Sequence, residues 1–437
     1  MPDKKKQGDK TEESRRFINE KIVKQPLSRR ELLRRGAYLA AAAVIFGGVA
    51  AVTFAVSKPV AERYLVKETQ RETMPVTIPK DDPEPTTQPT VAATSTTQET
   101  KPMEEMVREA LKNYSFTIED VNALYDGVRM VAQKADKSIV TVHSVKNQTD
   151  WFDNPVESSG LFAGAVIASA NGEFLILTPE AAVESADSIR VVFSDGTEVD
   201  GTIKQMDTRS GMAVVSILQS ALGKTLLDSI QPIELGNSYS VRQGDMVIAI
   251  GAPAGVVHST NYGFVTYVAK NVQITDGLTR VIYADMKGSP AMGTFLINTS
   301  GQIVGWVTDL YKNENNSDMT AALAISDFKS ILERLSNGQT FPYLGIKGQE
   351  VTAVMNEAGI PLGIYVSEVN ADSPVYNSGI QNGDIIVRIG EETIVTMKDL
   401  ETVLETLNTG DTVNVKVLRS GREGYTEIEY QVTIGAR

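Results

Sequence analysis

The stretch GAVIASANGEFLILT at residues 164–178 holds two short apolar runs on either side of the turn Ala170-Asn171-Gly172. Short runs rich in Val and Ile, bounded by turn residues, are typical of β-strands. Comparable runs recur on both sides of this stretch: SIVTVHSV (138–145), SIRVVFS (188–194), MVIAIG (246–251) and FVTYV (264–268). Many short strands at regular spacing predict a β-barrel or sandwich, and a region of about 200 residues is long enough for two small barrels.

A second unit follows at residues 339–437, where strands alternate with helices. Strands and helices are predicted in turn for GIYVSEV (363–369), SPVYNSGI (373–380), DIIVRIG (384–390), MKDLETVLETL (397–407) and DTVNVKVLR (411–419). This order predicts a compact module of the α+β class.

The segment before the barrels, residues 104–136, has the features of a helix. Thr117 and Asp120 have the spacing of a helix N-terminal cap. Apolar residues then recur at helical spacing at Val121, Leu124, Val128 and Val131. We therefore expect a helix that leads into the first barrel and ends near Asp136.

The N-terminus combines a basic segment with an uncharged apolar run. Residues 36–57, GAYLAAAAVIFGGVAAVTFAVS, contain no charged residue. A helix of this length reaches roughly 30 Å, the thickness of the hydrocarbon core of a bilayer. Residues 1–35 are basic, so the positive-inside rule predicts a cytoplasmic tail, a single transmembrane anchor at 36–57 and extracytoplasmic domains after it, in a bacterial cell.

An export signal is the alternative interpretation of this segment. SRRELL (28–33) looks like a twin-arginine motif, and Ala55-Val56-Ser57 offers small residues for cleavage. The apolar cores of cleaved signals are about 7–15 residues long, shorter than this run. Residues 58–103 are rich in Thr, Pro and charge and lack an apolar period, which predicts a disordered linker.

Composition excludes several classes of function. The net charge of −13 argues against a nucleic-acid partner, because phosphates are held by Lys and Arg. The absence of cysteine excludes disulfides, zinc thiolate sites and cysteine nucleophiles. No cofactor motif is found, so neither a cofactor nor a metal ion is expected.

Several segments resemble the HtrA (Deg) family in content and in order. They are SDGTEVDGTIKQMD (194–207), IELGNSYSVRQGDMVIAIGAPAG (233–255), LINTSGQIVGW (296–306), LAISDF (323–328) and SPVYNSGIQNGDII (373–386). The resemblance covers about residues 128–437. It implies a mainly β fold: a trypsin-like double β-barrel of two six-stranded barrels at 137–338, followed by a PDZ domain at 339–437.

The positions of the family's catalytic triad carry other residues in this chain. Ala181 in ILTPEAAV (176–183) stands where the family has histidine, and Gly211 in SGMAVVSI (210–217) stands where it has aspartate. Met292 in PAMGTFLIN (290–298) replaces the serine, and a shift by one residue places Gly293 there. The triad mechanism needs a hydroxyl, an imidazole and a carboxylate. The resemblance therefore predicts a serine protease homologue that does not cleave.

Other residues offer only weak substitutes for the triad. The chain has two histidines, His143 in a predicted strand and His258 in the loop AGVVHSTNYG. Ser289 and Lys287 are a conceivable serine–lysine pair on a predicted turn. An active serine endopeptidase with a relocated triad remains the alternative function.

The PDZ resemblance implies a peptide-binding site. PDZ domains add a peptide as a strand and hold its C-terminal carboxylate on backbone N–H groups of a short loop. That loop corresponds here to Tyr343, Leu344, Gly345 and Ile346, which are otherwise a plain connecting strand. Leu400, Val403 and Leu404 lie on the helix beside the groove, where they are expected either to line it or to fill the core.

Three functions are compatible with these residues. The first is a scaffold or sensor that binds protein C-termini or unfolded chains outside the cytoplasmic membrane. The second is the active endopeptidase. The third is a regulatory partner of HtrA-like paralogues or a homotrimer, as the resemblance implies.

Overall fold

The computed structural model describes residues 75–82, 115, 117–149, 155–312 and 317–436. The predicted tail at 1–35 and the predicted anchor at 36–57 lie outside the described residues. Within the described ranges, no helix is both long enough and apolar enough to cross a membrane.

The first helix, α1 (Ile118–Asp136), begins at the predicted cap. The Thr117 side chain accepts from the backbone N–H of Asp120, and the Asp120 carboxylate accepts from the N–H of Thr117. Only the C-terminal half of α1 meets the barrels, where Ala132 and Ala135 are buried. Five large apolar side chains of the helix are exposed: Ile118, Val121, Leu124, Tyr125 and Met130.

The first barrel is a closed sheet of six antiparallel strands in the order β1-β2-β3-β6-β5-β4. The strands are β1 (Ile139–Thr149), β2 (Pro155–Ala170), β3 (Glu173–Pro179), β4 (Ser188–Val192), β5 (Glu198–Asp207) and β6 (Met212–Leu218). β3 and β6 are central to the domain and are buried almost throughout, which accounts for their continuous apolar sequence.

The second barrel closes in the order β10-β11-β12-β9-β8-β7. Its elements are α2 (Lys224–Ser229), β7 (Met246–Gly251), β8 (Asn261–Ile274), β9 (Gly277–Ala284), β10 (Thr294–Ile297), β11 (Ile303–Thr308), β12 (Thr320–Ala324) and α3 (Lys329–Ser336). One apolar cluster joins the two barrels, with Leu177 from the first and Phe295 from the second. The prediction of two six-stranded barrels is confirmed.

The C-terminal unit is an α+β domain with its own apolar core. Its elements are β13 (Pro342–Tyr343), β14 (Ile346–Glu350), α4 (Ala353–Glu357), β15 (Ile364–Val369), α5 (Pro374–Ser378), β16 (Ile385–Ile389), β17 (Glu392–Thr393), α6 (Met397–Thr406), β18 (Thr412–Gly421), β19 (Gly424–Thr433) and β20 (Gly435–Ala436). The main sheet has the order β14-β15-β16-β18-β19, so β14 is an edge strand.

Residues 75–82 correct the prediction of a disordered linker over 58–103. The Asn337 side chain accepts from the N–H of Val76 and donates to its carbonyl, both at 2.9 Å, and Ile78 is buried against the barrels. Asp81 pairs with the buried ammonium of Lys329 at 2.8 Å. Val76 and Ile78 pack against the barrels, and Asp81 pairs with the buried Lys329. These contacts hold the short segment on the barrels. The rest of the predicted linker lies outside the described residues.

Candidate functional site

A cleft of about 440 Å³ opens between the two barrels. It brings together the three segments that carry the predicted triad positions. Ala181 and Gly211 line it directly, and Pro290 and Ala291 represent the third segment. Residues 306–310, at the end of β11 and just beyond it, form the opposite wall. In the structure, the three segments meet at one cleft, although they are far apart in the chain.

Ala181 lies in a short 3-10 turn, Glu180–Ala182, that follows β3. The Glu180 N–H donates to the carbonyl of Gly211 at 2.9 Å, which ties this turn to the start of β6. Ala181 is exposed to the cleft, and its methyl group neither accepts nor donates a proton. The residue at the predicted histidine position therefore lies at the cleft and has no group that transfers a proton.

Gly211 occupies the tight turn between β5 and β6. Its φ is +69°, its N–H donates to the Asp207 carbonyl at 3.0 Å, and a Cβ added to it would meet no atom within 4 Å. The neighbouring Ser210 hydroxyl is buried and donates to the Asp207 carboxylate. That hydroxyl is therefore already engaged with a carboxylate, and no imidazole among the described residues is placed to remove its proton.

Met292 does not line the cleft. It is half-buried, and its side chain packs against the core that joins the two barrels. The backbone around it is fixed, because its carbonyl accepts from Ala163 at 2.7 Å and the Gly293 N–H donates to the Pro290 carbonyl at 3.1 Å. Pro290 itself has no N–H group, so it donates no backbone hydrogen bond in this turn.

Two carboxylates and one guanidinium give the cleft its charge. Asp309 and Glu180 line it with Arg209. Burial, and then the nearby charges of Glu184 and Asp207, raise the pKa of the Glu180 carboxyl. A carboxyl group with a raised pKa at this place was not foreseen from the sequence, where Glu180 is an ordinary residue beside Pro179.

Among the described residues, no hydrogen bond joins the residues considered as substitutes for the triad to one another. Neither histidine is among the described residues that line the cleft. The His258 Nδ1 lies 3.1 Å from the Asp136 carboxylate, and this hydrogen bond raises the pKa of the imidazole. His143 lies on β1 between Leu161 and Arg190 of the neighbouring strands. In the described part of the chain, no hydrogen bond joins the Ser289 hydroxyl to the Lys287 ammonium.

The loop at residues 343–346 has the geometry of a carboxylate site. The backbone N–H groups of Leu344, Gly345 and Ile346 converge on one carboxylate, that of Asp276, at 2.9–3.0 Å. Tyr343 ends β13 and Ile346 begins β14, so the loop stands at the end of the edge strand. The loop therefore holds a carboxylate of the same chain, and peptide binding at these residues stays a prediction.

Leu400, Val403 and Leu404 are buried on the face of α6 that turns toward the domain core, together with Leu344 and Ile346. They belong to the apolar core of the C-terminal domain. Their burial favours the core interpretation for these three side chains.

Replacing Gly345 with alanine should destabilise the C-terminal domain by about 3 kcal/mol or more. Its φ is +95°, and an added Cβ would lie 2.2 Å from the Cβ of Ser373. Gly383→Ala is the matched control, because φ there is +93° but no atom lies within 4 Å, so only the strain of about 1 kcal/mol applies. Thermal unfolding followed by circular dichroism measures both, and equal losses would refute the clash at Ser373.

Comparison with known proteins agrees with both halves of this description. A family model described as "Trypsin-like peptidase domain" matches residues 162–305, and one described as "PDZ domain" matches residues 342–429. "Serine protease Do-like HtrA" of Bacillus subtilis is 29% identical over 326 residues, which is 70% of this chain and 70% of the relative. The chain belongs to the HtrA family.

Other HtrA proteins extend the comparison. A "Probable periplasmic serine endoprotease DegP-like" of Pseudomonas fluorescens is 28% identical over 65% of this chain and 58% of its own length. The solved structure "HtrA-type protease AlgW with decapeptide" covers 71% of this chain and 98% of its own, with 21% identity and a TM-score of 0.50. The last likeness shows the fold alone.

The HtrA resemblance did not predict the role of one residue of the site, Asp276. Asp276 lies in ITDGLT between β8 and β9 and has the appearance of an ordinary turn residue, with a φ of +62°. Only the packing of the second barrel against the PDZ domain brings its carboxylate to the loop at residues 343–346. No local pattern in the sequence signals a contact across about 70 residues.

Proposed function

We propose that this HtrA protein is non-catalytic and binds protein or peptide C-termini through its PDZ domain, outside the cytoplasmic membrane. The observation that carries this proposal is the contrast between two sites. The cleft between the barrels holds Ala181 and Gly211 at the triad positions, and no histidine is among its described lining residues, whereas the loop at residues 343–346 presents three N–H groups to a carboxylate.

The missing imidazole is the strongest support for loss of proteolysis. A serine nucleophile is activated by a base that takes its proton, and a protease without its triad retains only about 10³–10⁴-fold acceleration over water. Glu180 is a carboxyl group in the cleft, but no hydroxyl nucleophile is hydrogen-bonded to it among the described residues.

Peptide binding is supported by the PDZ domain itself. Its edge strand β14 begins at the loop whose three N–H groups hold a carboxylate, so a peptide strand added beside β14 would bring its C-terminus to this loop. The similar protein AlgW was solved with a decapeptide, which supports peptide binding in a protein of this architecture. Main-chain pairing with β14 would supply affinity, and the loop would select a free carboxylate.

An active serine endopeptidase is the second candidate. It is favoured by the relatives, which are named as serine proteases, and by the pairing of His258 with Asp136, which resembles a base held by its orienting carboxylate. This candidate needs a hydroxyl nucleophile close to the free nitrogen of His258. Assembly as a homotrimer or with HtrA-like paralogues is a further proposal, supported by the exposed apolar residues of α1.

We expect the natural chain to leave unfolded casein intact and to remain unlabelled by a fluorophosphonate probe. The physical reason is that no described serine has both an imidazole and an oxyanion hole. The full-length protein is incubated with each reagent beside an active HtrA protease, and labelling is read by mass spectrometry. Labelling of one serine, abolished by His258→Ala, would establish the second candidate and exclude the first.

The anchor at 36–57 belongs to the same proposal. A single-pass anchor with the N-terminus in the cytoplasm would hold both domains on the outer side of the membrane. Protease protection of residues 117–436 in intact cells, lost after permeabilisation, would place them inside and contradict this orientation.

A further inference from the structure

The turn between β8 and β9 lies in the PDZ groove. β8 ends at Ile274 and β9 begins at Gly277, so residues 275–278 form the tip of a long hairpin of the second barrel. On one side this tip contacts the edge strand β14, and on the other it contacts α6. These two elements are the walls between which a PDZ domain receives a peptide.

The carboxylate of Asp276 takes the position of a peptide's C-terminal carboxylate. One oxygen accepts from Leu344 and Gly345, and the other accepts from Gly345 and Ile346, all at 2.9–3.0 Å. Asp276 is only 6% exposed. A buried carboxylate is tolerated only when charge-assisted hydrogen bonds replace its hydration, and here three backbone N–H groups do so.

The rest of the tip also imitates a bound peptide. The Asp276 N–H donates to the carbonyl of Ile346 at 2.7 Å, as an added strand would. Leu278 packs against the PDZ core, and its N–H donates to the Glu401 carboxylate on α6 at 3.0 Å. Gly277 leaves room for the same carboxylate, since a Cβ there would lie 2.7 Å from its oxygen.

We propose that residues 275–278 are an internal ligand that keeps the PDZ groove closed, and that a peptide with a free C-terminal carboxylate and an apolar last residue must displace them to bind. This inference rests on the proposed peptide-binding function and adds its regulation. The three N–H groups point at one place, so they hold either Asp276 or a peptide carboxylate. The affinity for peptide is therefore reduced by the fraction of molecules in which the tip is docked.

Arg209 connects the tip to the cleft between the barrels. Its guanidinium donates to the Thr275 hydroxyl at 2.7 Å and to the Tyr343 hydroxyl, and it lies over the Tyr343 ring, 4.4 Å from the centroid. The same residue lines the cleft beside Gly211. Withdrawal of the tip removes the Thr275 contact and leaves the guanidinium on Tyr343, so a residue that lines the cleft loses one of its hydrogen bonds when the tip leaves.

Asp276→Asn is the variant that tests the internal ligand. Asparagine keeps the size of the side chain and tolerates the φ of +62°, but it loses the charge and turns an NH₂ group toward backbone donors. Asp195→Asn is the matched control, because Asp195 is an exposed acid on the β4–β5 turn and makes only a local hydrogen bond to Thr197.

The probes are two pools of random decapeptides, one with free carboxyl termini and one with amidated termini. The full-length natural chain, Asp276→Asn and Asp195→Asn are incubated with each pool, and retained peptides are quantified by mass spectrometry. We expect Asp276→Asn to retain at least tenfold more free-carboxylate peptide than the other two, enriched in apolar last residues, with no gain for amidated peptides. Hydrogen exchange at residues 344–346 should be faster in Asp276→Asn without peptide and slow again with it.

The outcomes separate the two proposals. Equal retention of free-carboxylate peptides by the natural chain and by Asp276→Asn overturns the internal ligand but leaves peptide binding intact. A second outcome is that Asp276→Asn retains no free-carboxylate peptide although exchange at residues 344–346 is faster. This result overturns peptide binding itself, and the contact of Asp276 with the loop then only holds the two domains together. Unchanged exchange in Asp276→Asn also overturns the internal ligand, since the N–H groups would then be protected by something else.

Discussion

The variant that combines Ala181→His, Gly211→Asp, Met292→Ser and Pro290→Gly should hydrolyse unfolded casein, whereas the natural chain should not. The first three changes supply the imidazole, carboxylate and hydroxyl of a triad. Ala181 and Gly211 line the cleft, and Met292 belongs to the segment whose Pro290 and Ala291 line it. The fourth supplies the N–H that Pro290 lacks, as a donor for the oxyanion hole, and frees the backbone of the turn. The expected gain over the natural chain is several orders of magnitude, because the triad acts as a unit.

Pro290 decides how much activity the other three changes restore. The Met292 side chain packs into the core and not into the cleft, so a serine at this position needs the turn to rearrange before its hydroxyl faces the substrate. Proline fixes φ near −65° and restricts the residue before it, which opposes such a rearrangement. We therefore expect the triple variant that keeps Pro290 to be at least a hundredfold slower than the quadruple variant, the usual effect of losing one oxyanion donor.

Release of fluorescent fragments from labelled casein measures both variants. The matched control carries Met292→Ala instead of Met292→Ser and keeps the other three changes, so it has the imidazole and carboxylate but no nucleophile. A fluorophosphonate probe should react at position 292 of the quadruple variant and leave the control unlabelled. If the folded quadruple variant were inert and unlabelled, the assignment of Ala181, Gly211 and Met292 to the triad positions would be wrong.

The strands and the barrels were predictable because their physics is local. Runs such as EFLILT at 173–178 lie in β3 and are buried on both faces, so apolar content and flanking turns identify them without any knowledge of distant contacts. The cap of α1 at Thr117 was predictable for the same reason. The burial of α1 was not, since spacing alone does not show that only its C-terminal half reaches the barrel.

The parts of the site that escaped prediction depend on contacts between distant segments. Asp276 has the sequence of a turn residue, and its role follows only from the loop 68 residues later that it meets. Residues 75–82 lie in a polar, proline-rich context, yet Lys329 and Asn337 give them partners more than 240 residues away. Composition predicts disorder in such segments because it contains no information on contacts with residues that are distant in sequence.

Peptide binding to the PDZ groove should strengthen as the pH rises from 5 to about 7 and then level off. Glu401 holds the docked tip, and burial raises the pKa of this carboxyl from 4.5 to about 7. We expect the pKa of Glu401 to fall toward 4.5 when the tip leaves, because solvent then reaches its carboxyl group. The docked state thus binds a proton that the open state releases, so docking is favoured at low pH and loses this advantage as the pH approaches 7.

The size of this pH dependence depends on the groups around Glu401 that raise or lower its pKa. Asp327 and Glu405 raise its pKa further through their negative charge, while Lys398 and the Leu278 N–H lower it. Burial also raises the pKa of Asp327, whose carboxylate accepts from the Thr279 hydroxyl and from the Arg280 N–H. One proton changes affinity by at most tenfold per pH unit, and we expect a rise of about tenfold to a hundredfold between pH 5 and pH 7.5.

Glu401→Gln should abolish most of this pH dependence, because glutamine still accepts from the Leu278 N–H but carries no titrating proton. Glu357→Gln on the exposed α4 is the control and should behave like the natural chain. Fluorescence anisotropy with a free-carboxylate peptide recovered from the decapeptide pools gives the affinity at each pH, and that peptide's own carboxylate stays ionised throughout this range. Affinity that falls between pH 5 and pH 7.5, or that rises equally in Glu401→Gln, would show that the Glu401 contact does not control the docked tip.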